Sequence, residues 1–326
     1  MKAVIYRRFG PAPAVLETVE LPDPEPGPGE VLVRLRASGV NPSDVKLRAG
    51  ARPGAAMPHD FVLPHSDGAG EIVGVGAGVD RARIGERVWV WNGQWRRQMG
   101  TAAEMIALPA AQAVPLPEGT GFAEGACLGI PAMTATAAVL GDGPVEGMSV
   151  LVMGGAGSVG RYATQVARLS GAEVITTVSS PAKAAHSTGA HHVIDYRAED
   201  AAGRALEITG GRGVDRIVEV EFGANLGITA QVIAEGGTIA AYGSAAEMAP
   251  TLPFYPLMFR NVRLWMMLVY LLEPERRRAC EARLGGWLAE GALSHAVAAS
   301  FPPEACAEAH ATVEAGEKLG TVVLEM

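Results

Sequence analysis

The segment GVNPSD, residues 39–44, places Asn41, Ser43 and Asp44 around Pro42, directly after the strand-like run VLVRLRASG. Short polar side chains beside a proline are typical of a tight turn, and substrate-binding loops use the same residue types. An asparagine there could donate a hydrogen bond to an oxygen of a bound molecule. The carboxylate of Asp44 could orient its neighbours or only stabilise the turn. The segment alone leaves open whether it is an ordinary turn or part of a binding site, and it leaves both interpretations of Asp44 open.

A second candidate site is the segment VLVMGGAGSVGRYATQVARL, which contains Gly155-x-Gly157-x-x-Gly160. An apolar strand pattern precedes these glycines and an amphipathic helix pattern follows them, as in a βαβ unit that binds a dinucleotide. Glycines let the backbone approach a pyrophosphate, and the N-terminus of the next helix offers free N–H groups. The context favours a dinucleotide site over a glycine-rich turn without a ligand.

The segment after the second strand of this unit, TTVSSPAK, indicates which dinucleotide binds. Folds specific for NAD place an Asp or Glu there, about 20 residues after the glycines, to bind the ribose 2′-hydroxyl. Here Ser179 and Ser180 can donate hydrogen bonds and Lys183 is positively charged, so the segment suits a 2′-phosphate and favours NADP(H). It also fits a helix N-terminus, and the two interpretations are compatible. Tyr196, at the end of the third strand pattern, could cover the adenosine end.

These segments lie in two regions with different patterns. Before residue 121, short strand-like runs bounded by Gly and Pro predict a compact, mainly antiparallel β domain. Beyond it, strands and helices alternate, which predicts a doubly wound parallel sheet with helices on both faces. In that region the segments SPAKAAHSTGA and NLGITAQVIAEGG are predicted to be helices, and GTVVLEM is predicted to be the last strand. The expected fold class is therefore α/β, with a second, β-rich domain.

Composition excludes several classes of protein. The chain has 326 residues, of which 48% are hydrophobic, and its net charge of -8 makes nucleic acid an unexpected partner. The longest apolar run, residues 264–272, is too short for a membrane helix, which needs about 20 residues. The N-terminus has no signal-peptide pattern, so a cytoplasmic protein without a membrane partner is expected. Cys127, Cys280 and Cys306 are widely separated, which predicts buried free thiols rather than a disulfide framework.

Four segments resemble a known family in their order and spacing: SGVNPSDVKLRAG, GIPAMTATAAVL, VLVMGGAGSVG and the tail AEAH…G…GTVVL. The family is the zinc-independent quinone oxidoreductase (zeta-crystallin-like) branch of the medium-chain dehydrogenase/reductase superfamily. The resemblance implies a GroES-like catalytic domain at residues 1–124, completed by 267–326, and a Rossmann NADP(H)-binding domain at 125–266. It also implies a homodimer that pairs through a sheet edge, at TLPF or VRLWMM.

The same resemblance implies roles for individual residues. Asn41 and Asp44 would lie near the nicotinamide and act in catalysis. The other cofactor contacts that it implies are Thr134 beside the carboxamide, Ala156, Gly157, Ser158 and Val159 at the pyrophosphate, and Ala241, Tyr242, Gly243, Ser244, Leu268, Val269 and Tyr270 at the nicotinamide. Arg52 stands where many members have a tyrosine, and it could meet a phosphate or an acidic acceptor.

No metal site is expected. Zinc-dependent relatives carry a cysteine in the GVNPSD position and a G-H-E segment further on, whereas this chain has Asn41 and the segment LPHSDGAG. A site made from His59, His65 and Asp67 can be imagined, but zinc needs three or four ligands with set geometry, so a zinc-free loop is favoured.

Without a metal to polarise a carbonyl, a hydride has to go to an acceptor that is already electrophilic. The expected function is therefore an NADPH-dependent, zinc-free reductase of a small-molecule quinone. One alternative is an NADPH-dependent reductase of 2-alkenals or enones, which have an activated C=C bond. A more distant alternative is a non-catalytic NADPH-binding sensor.

Overall fold

The computed structural model describes residues 1–51 and 54–326, so Arg52 lies outside the described residues. The chain divides into two compact units. Unit 1 comprises Met1–Ile130 and Gly285–Met326, and unit 2 comprises Pro131–Leu284. The expected domain limits put residues 125–130 with the dinucleotide domain and residues 267–284 with the catalytic domain. In the structure, residues 125–130 belong to unit 1 and residues 267–284 to unit 2.

The elements follow one another along the chain as follows. The strands are β1 (Lys2–Ile5), β2 (Glu17–Glu20), β3 (Glu30–Val40), β4 (Asp67–Val75), β5 (Arg87–Val90), β6 (Met105–Pro109), β7 (Ala113–Pro115), β8 (Ser149–Val152), β9 (Glu173–Val178), β10 (His192–Asp195), β11 (Val214–Glu219), β12 (Ile233–Ala241), β13 (Arg263–Met266), β14 (Val297–Phe301) and β15 (Thr321–Glu325). The helices are α1 (Ala12–Val15), α2 (Pro42–Arg48), α3 (Phe122–Gly125), α4 (Met133–Leu140), α5 (Ser158–Leu169), α6 (Pro181–Ala184), α7 (Ala201–Ile208), α8 (Phe222–Val232), α9 (Phe254–Phe259), α10 (Pro274–Ala289) and α11 (Cys306–Glu314).

Unit 1 is built on a mainly antiparallel sheet, as predicted. Its strands follow the order β14-β15-β3-β4-β5-β7, and β6 also pairs with β3. In β3 the residues Val31, Val33 and Leu35 are buried while Arg34 and Arg36 are exposed. This alternation is the period of a strand with one face on the core, and it fixes the register that brings the end of β3 beside the start of β4.

Unit 2 contains a six-stranded sheet in the order β10-β9-β8-β11-β12-β13, and every neighbouring pair is parallel. Strand β8 is buried at every residue. Such continuous burial is expected of a strand covered by helices on both faces. The doubly wound fold predicted from the alternating pattern is confirmed. Successive strands are added outward in one direction from β8 to β10 and in the other direction from β11 to β13, and such folds bind their ligands at the point between β8 and β11 where this order changes.

Several local predictions were wrong. GVNPSD is not an isolated turn, because Asn41 is the N-cap of α2 and Pro42 is its first residue. The segment NLGITAQVIAEGG ends as a strand, since α8 stops at Val232 and β12 begins at Ile233. The helix expected at SPAKAAHSTGA is only the single turn α6. VRLWMM supplies the edge strand β13, whereas TLPF forms no strand.

The longest helix given above is α10, with 16 residues. Within the two described stretches, no helix has both the length and the apolar character needed to cross a membrane. The cytoplasmic location stays a prediction.

Candidate functional site

Most of the predicted cofactor residues lie along one edge of the unit 2 sheet. Because its strands are parallel, their carboxyl ends share that edge. The predicted residues there are Ala156, Gly157, Ser158 and Val159 after β8, Ser179, Ser180 and Lys183 after β9, Tyr196 after β10, Ala241, Tyr242, Gly243 and Ser244 at the end of β12, and Leu268, Val269 and Tyr270 after β13. Thr134 lies apart from them in the sequence of elements, buried in α4.

The three glycines of the β8–α5 turn have different surroundings. A Cβ at Gly155 would overlap the hydroxyl of Thr176, and one at Gly160 would overlap the carbonyl of Gly154. A Cβ at Gly157 would meet nothing closer than 3.4 Å, and Gly157 is the exposed N-cap of α5. Packing therefore requires Gly155 and Gly160, whereas Gly157 leaves open space at a helix N-terminus, where a phosphate fits.

This difference gives a prediction. Gly157→Ala should cost at most about 1 kcal/mol of stability, as alanine does at a helix N-cap. It should weaken dinucleotide binding about tenfold, because its methyl group enters space that only a ligand uses. Gly155→Ala should instead lower the free energy of unfolding by about 1–3 kcal/mol, because its methyl group overlaps Thr176. Thermal unfolding and titration with NADPH measure the two effects. Equal losses of stability in both variants would contradict the assignment.

The corner expected to hold the ribose is formed by the ends of β9 and β10. The hydroxyl of Ser180 caps α6 by accepting a bond from the Lys183 N–H at 3.3 Å. The N–H of Tyr196 donates to the carbonyl of Val178 at 3.1 Å, so Tyr196 lies beside the residue that precedes Ser179. Residues 179–183, SSPAK, contain no acid. The local charge therefore suits a 2′-phosphate.

Sequence reasoning missed Glu219, which ends β11 at the same edge. This side chain is fully buried, and its Oε1 accepts from the Glu221 N–H at 2.6 Å and from Asn225 Nδ2 at 2.9 Å. Its Oε2 is buried without a hydrogen-bond partner among the described residues. Burial raises the pKa of Glu219, and these hydrogen bonds oppose the rise. The one available signal was an acid inside the apolar strand pattern GVDRIVEV.

The raised pKa predicts a pH dependence of stability. The folded chain binds the Glu219 proton more tightly than the unfolded chain, so ionisation of this group costs stability above its raised pKa and that cost disappears as the pH falls below the unfolded value. At pH 7 we expect Glu219→Gln to have a free energy of unfolding about 1 kcal/mol higher than wild type, measured by denaturant titration. This difference in free energy should shrink at lower pH. Glu235→Gln, at an exposed acid of unit 2, is the control. A gap that widens on acidification would contradict the argument.

In unit 1, Asn41 and Asp44 are both buried, at the junction of β3 and α2. The backbone N–H of Asn41 donates to Asp44 Oδ2 at 2.8 Å, so Asp44 closes the first turn of the helix. The side-chain amide of Asn41 donates to Asp67 Oδ2, also at 2.8 Å. Asp67, the first residue of β4, reaches it because Gly39 of β3 pairs with Asp67. The amide of Asn41 is therefore held in one orientation.

Asp67 is an unusual carboxylate. Its Oδ2 also accepts from the Ile130 N–H at 2.9 Å, while its Oδ1 is buried and has no hydrogen-bond partner in residues 1–51 and 54–326. A Cβ at Gly129 would overlap Oδ1, so only glycine fits beside it. Burial raises the pKa of Asp67 well above its usual range, and the charge of Asp44 adds to the rise. The sequence had suggested Asp67 only as a possible zinc ligand, and the structure assigns it to Asn41.

The residues at the position of the catalytic zinc of zinc-dependent relatives do not fit that ion. An amide stands in place of the thiolate, and Asp67 Oδ2 already accepts from Asn41 and Ile130. His65 lies with Cys306 and His310, not with Asp67, and His59 is exposed. The donor set at Asn41 is thus built to orient an amide.

Comparison with known proteins agrees with this fold. The family profile described as "Alcohol dehydrogenase GroES-like domain" matches residues 27–118, and the one described as "Zinc-binding dehydrogenase" matches residues 158–283. A quinone oxidoreductase of Pseudomonas aeruginosa is 30% identical over 99% of both chains. A 2-haloacrylate reductase of a Burkholderia species is also 30% identical, over 99% of this chain and 98% of its own.

A solved mycobacterial protein in complex with NADPH superposes with a TM-score of 0.87, at 29% identity and over the full length of both chains. The chain therefore belongs to the zeta-crystallin-like quinone oxidoreductase family of the medium-chain dehydrogenase/reductase superfamily, a family of oxidoreductases.

Proposed function

We propose that this chain is an NADPH-dependent reductase that transfers a hydride to a quinone without a catalytic metal. The observation that carries the proposal is the Asn41 amide, held by Asp67 where zinc-dependent relatives carry a thiolate. Open space at Gly157 and the acid-free segment 179–183 support NADP(H) as the cofactor. The name of the Pseudomonas relative and the NADPH complex of the mycobacterial relative support the same reading.

When bound, NADPH supplies the hydride, and the residues of this chain bind and orient the reactants. Gly157 and the N-terminus of α5 would hold the pyrophosphate, and Ser179 and Lys183 would hold the 2′-phosphate. The predicted nicotinamide contacts are Thr134, Ala241, Tyr242, Gly243, Ser244, Leu268, Val269 and Tyr270. Arg52 stays a proposed acceptor contact.

Asn41 has the role closest to the reaction in this proposal. One hydrogen of its Nδ2 is used by Asp67, and the second can donate to the acceptor oxygen on which negative charge develops. Asp67 fixes the direction of that N–H, and Asp44 fixes the backbone that carries it. Both carboxylates are therefore positioning residues, with Asp44 acting through the helix turn.

A specific observation favours a second acceptor class, activated alkenes. The relative named as a 2-haloacrylate reductase is as similar as the quinone oxidoreductase of Pseudomonas. Hydride addition to an enone also places negative charge on an oxygen, so the same N–H of Asn41 would serve. A third possibility, a sensor that binds NADPH without turnover, predicts binding without oxidation.

The test is steady-state oxidation of NADPH and NADH by metal-free protein, with a simple quinone, an enone or no acceptor added. We expect rapid oxidation of NADPH by the quinone, much slower oxidation of NADH, and no loss of rate in a chelator. Oxidation only with the enone would replace the quinone assignment. Binding of NADPH without oxidation by either acceptor would establish the sensor, and a rate abolished by the chelator would overturn the metal-free mechanism.

The homodimer proposal concerns the edge strand β13. Met266 of β13 is 70% exposed, and Phe254, Tyr255 and Phe259 of the preceding helix α9 are also exposed. An apolar sheet edge left open invites pairing with a second copy. We expect Met266→Lys to shift the chain from dimer to monomer in light scattering after size exclusion. Met248→Lys, at a methionine that is 79% exposed outside the strand, should stay dimeric. A wild-type monomer would contradict the proposal.

A further inference from the structure

Three potential metal ligands meet inside unit 1, and the proposed reaction uses none of them. His65, Cys306 and His310 are all buried, and one ligand atom from each lies within 4.8 Å of the other two. Cys306 and His310 lie one turn apart in α11, so they share a helix face. The rings of His65 and His310 stack with centroids 5.1 Å apart, and their Nε2 atoms are separated by 2.9 Å.

A chain of hydrogen bonds fixes the tautomer of His65. The Thr101 hydroxyl donates to the backbone carbonyl of Asp67 at 2.6 Å, so Thr101 has no second hydrogen to give. Ser38 must therefore donate to Thr101, at 2.8 Å. Because the hydroxyl hydrogen of Ser38 is used in that bond, Ser38 must accept from His65 Nδ1–H, at 3.0 Å. The His65 ring thus carries its proton on Nδ1 and presents a lone pair at Nε2.

That lone pair faces His310. His310 Nε2–H therefore donates to it, which leaves His310 Nδ1 as a buried acceptor with no partner in the part of the chain that the structure describes. Both imidazole rings are fully buried, so this contact is closed to solvent. A metal-ligating histidine commonly donates its second ring N–H to a neighbouring oxygen, as His65 does to Ser38.

The backbone of His65 is a second, independent sign that its side chain is needed. Its φ angle is 75°, in the left-handed region that glycine adopts freely and that only a few per cent of other residues adopt, histidine more often than most. Such strain persists where the surrounding structure requires it and is common at functional sites. Here the strained backbone serves to place a fully buried imidazole against His310.

We propose that His65, His310 and Cys306 bind one copper(I) ion, which takes the place of the hydrogen between the two Nε2 atoms. The Cys306 thiol loses its proton to solvent and binds as a thiolate. The ring proton of His310 moves from Nε2 to Nδ1, and no electron is transferred. Two imidazoles and a thiolate are ligands that suit a soft ion.

Charge and ligand number select a monovalent ion. Copper(I) and one thiolate together are neutral, whereas zinc would leave a positive charge in a core where Cys306 packs with Val40 and Leu63. Structural zinc sites almost always have four protein ligands, and in the described parts of the chain this group offers three.

The test is an anaerobic titration of metal-free protein with copper(I) in competition with bicinchoninate. We expect one copper ion per chain, with binding weakened about 100-fold in Cys306→Ala and in His65→Gly, where glycine suits the backbone. Cys280→Ala removes another buried thiol, in unit 2, and should bind as wild type does. X-ray absorption of the wild-type complex should show one sulfur and two nitrogen ligands, a readout that does not depend on any variant.

Three results would overturn the proposal. They are no copper uptake by wild type, equal losses in the Cys306 and Cys280 variants, and an absorption spectrum without a sulfur ligand. Zinc(II) that displaces the copper would overturn the choice of a monovalent ion. NADPH oxidation by metal-free protein is a separate measurement, so this proposal and the proposed function can fail independently.

Discussion

Asn41→Ala is expected to lower kcat/KM for NADPH-dependent quinone reduction by about 100-fold, mostly through kcat. The reason is that the variant removes the N–H proposed to donate to the acceptor oxygen, and a preorganised donor of this kind contributes most in the transition state. It also takes away one of the two hydrogen bonds accepted by Asp67 Oδ2. Steady-state kinetics with a quinone, together with NADPH titration by fluorescence, separate the loss in catalysis from any loss in binding.

Two further variants control that experiment. Ser43→Ala changes a neighbouring residue of α2 and should retain activity within about twofold. Asn41→Asp sets a second carboxylate against Asp67, so it should lower both activity and thermal stability. If Asn41→Ala kept near wild-type kcat, the amide would serve only to bond Asp67, and another group would have to serve the acceptor oxygen.

Ser179→Asp should reverse the choice of cofactor, lowering the ratio of kcat/KM for NADPH to that for NADH by about 100-fold. A carboxylate at the end of β9 would repel the 2′-phosphate of NADPH and could accept from the 2′-hydroxyl of NADH. The wild-type segment 179–183 has no acidic residue that could favour NADH over NADPH. Parallel kinetics with both cofactors and the same quinone measure the ratio.

Lys183 offers the complementary change. Lys183→Gln should weaken NADPH alone, because only NADPH carries the phosphate that its ammonium group would pair with. Lys46→Gln makes the same change of charge at an exposed lysine of unit 1 and should alter neither cofactor. Equal weakening of NADPH and NADH by either Ser179→Asp or Lys183→Gln would place the ribose elsewhere.

The two-unit fold could be predicted because its signals are local and repeated. The structure has both the strand predicted from the period of VLVRLRASG and the alternation of strands and helices predicted after residue 121. The start of α2 was missed because Asn, Pro, Ser and Asp are common to turns and to helix N-termini, and only the seven residues of Pro42–Arg48 follow. The early start of β12 was missed because Ile233 becomes a strand residue through pairing with Val214, a distant partner.

Some residues of the candidate site could likewise be predicted from local sequence patterns, and others could not. The residues along the edge of the unit 2 sheet could be named from their positions at strand ends, because parallel topology brings such ends together. The partner of Asn41 could not be named, since Asp67 lies 26 residues away and meets it only through the register of β3 and β4. His65 and His310 are separated by 245 residues, and no sequence period links them.

The position of β15 has a consequence for the order in which the molecule forms during synthesis. This strand is made after the other fourteen strands given above, yet it lies between β14 and β3 in the interior of the unit 1 sheet. Unit 2 is one continuous stretch, Pro131–Leu284, so all of it is synthesised before β15 is translated. The first 130 residues therefore wait with the edge of β3 unpaired along residues 37–40 while the sheet of unit 2 can already close. During that interval the nascent chain exposes a strand edge that can pair with a wrong partner. The risk of misfolding is therefore greatest until the residues after 284 are made and β15 pairs with β3.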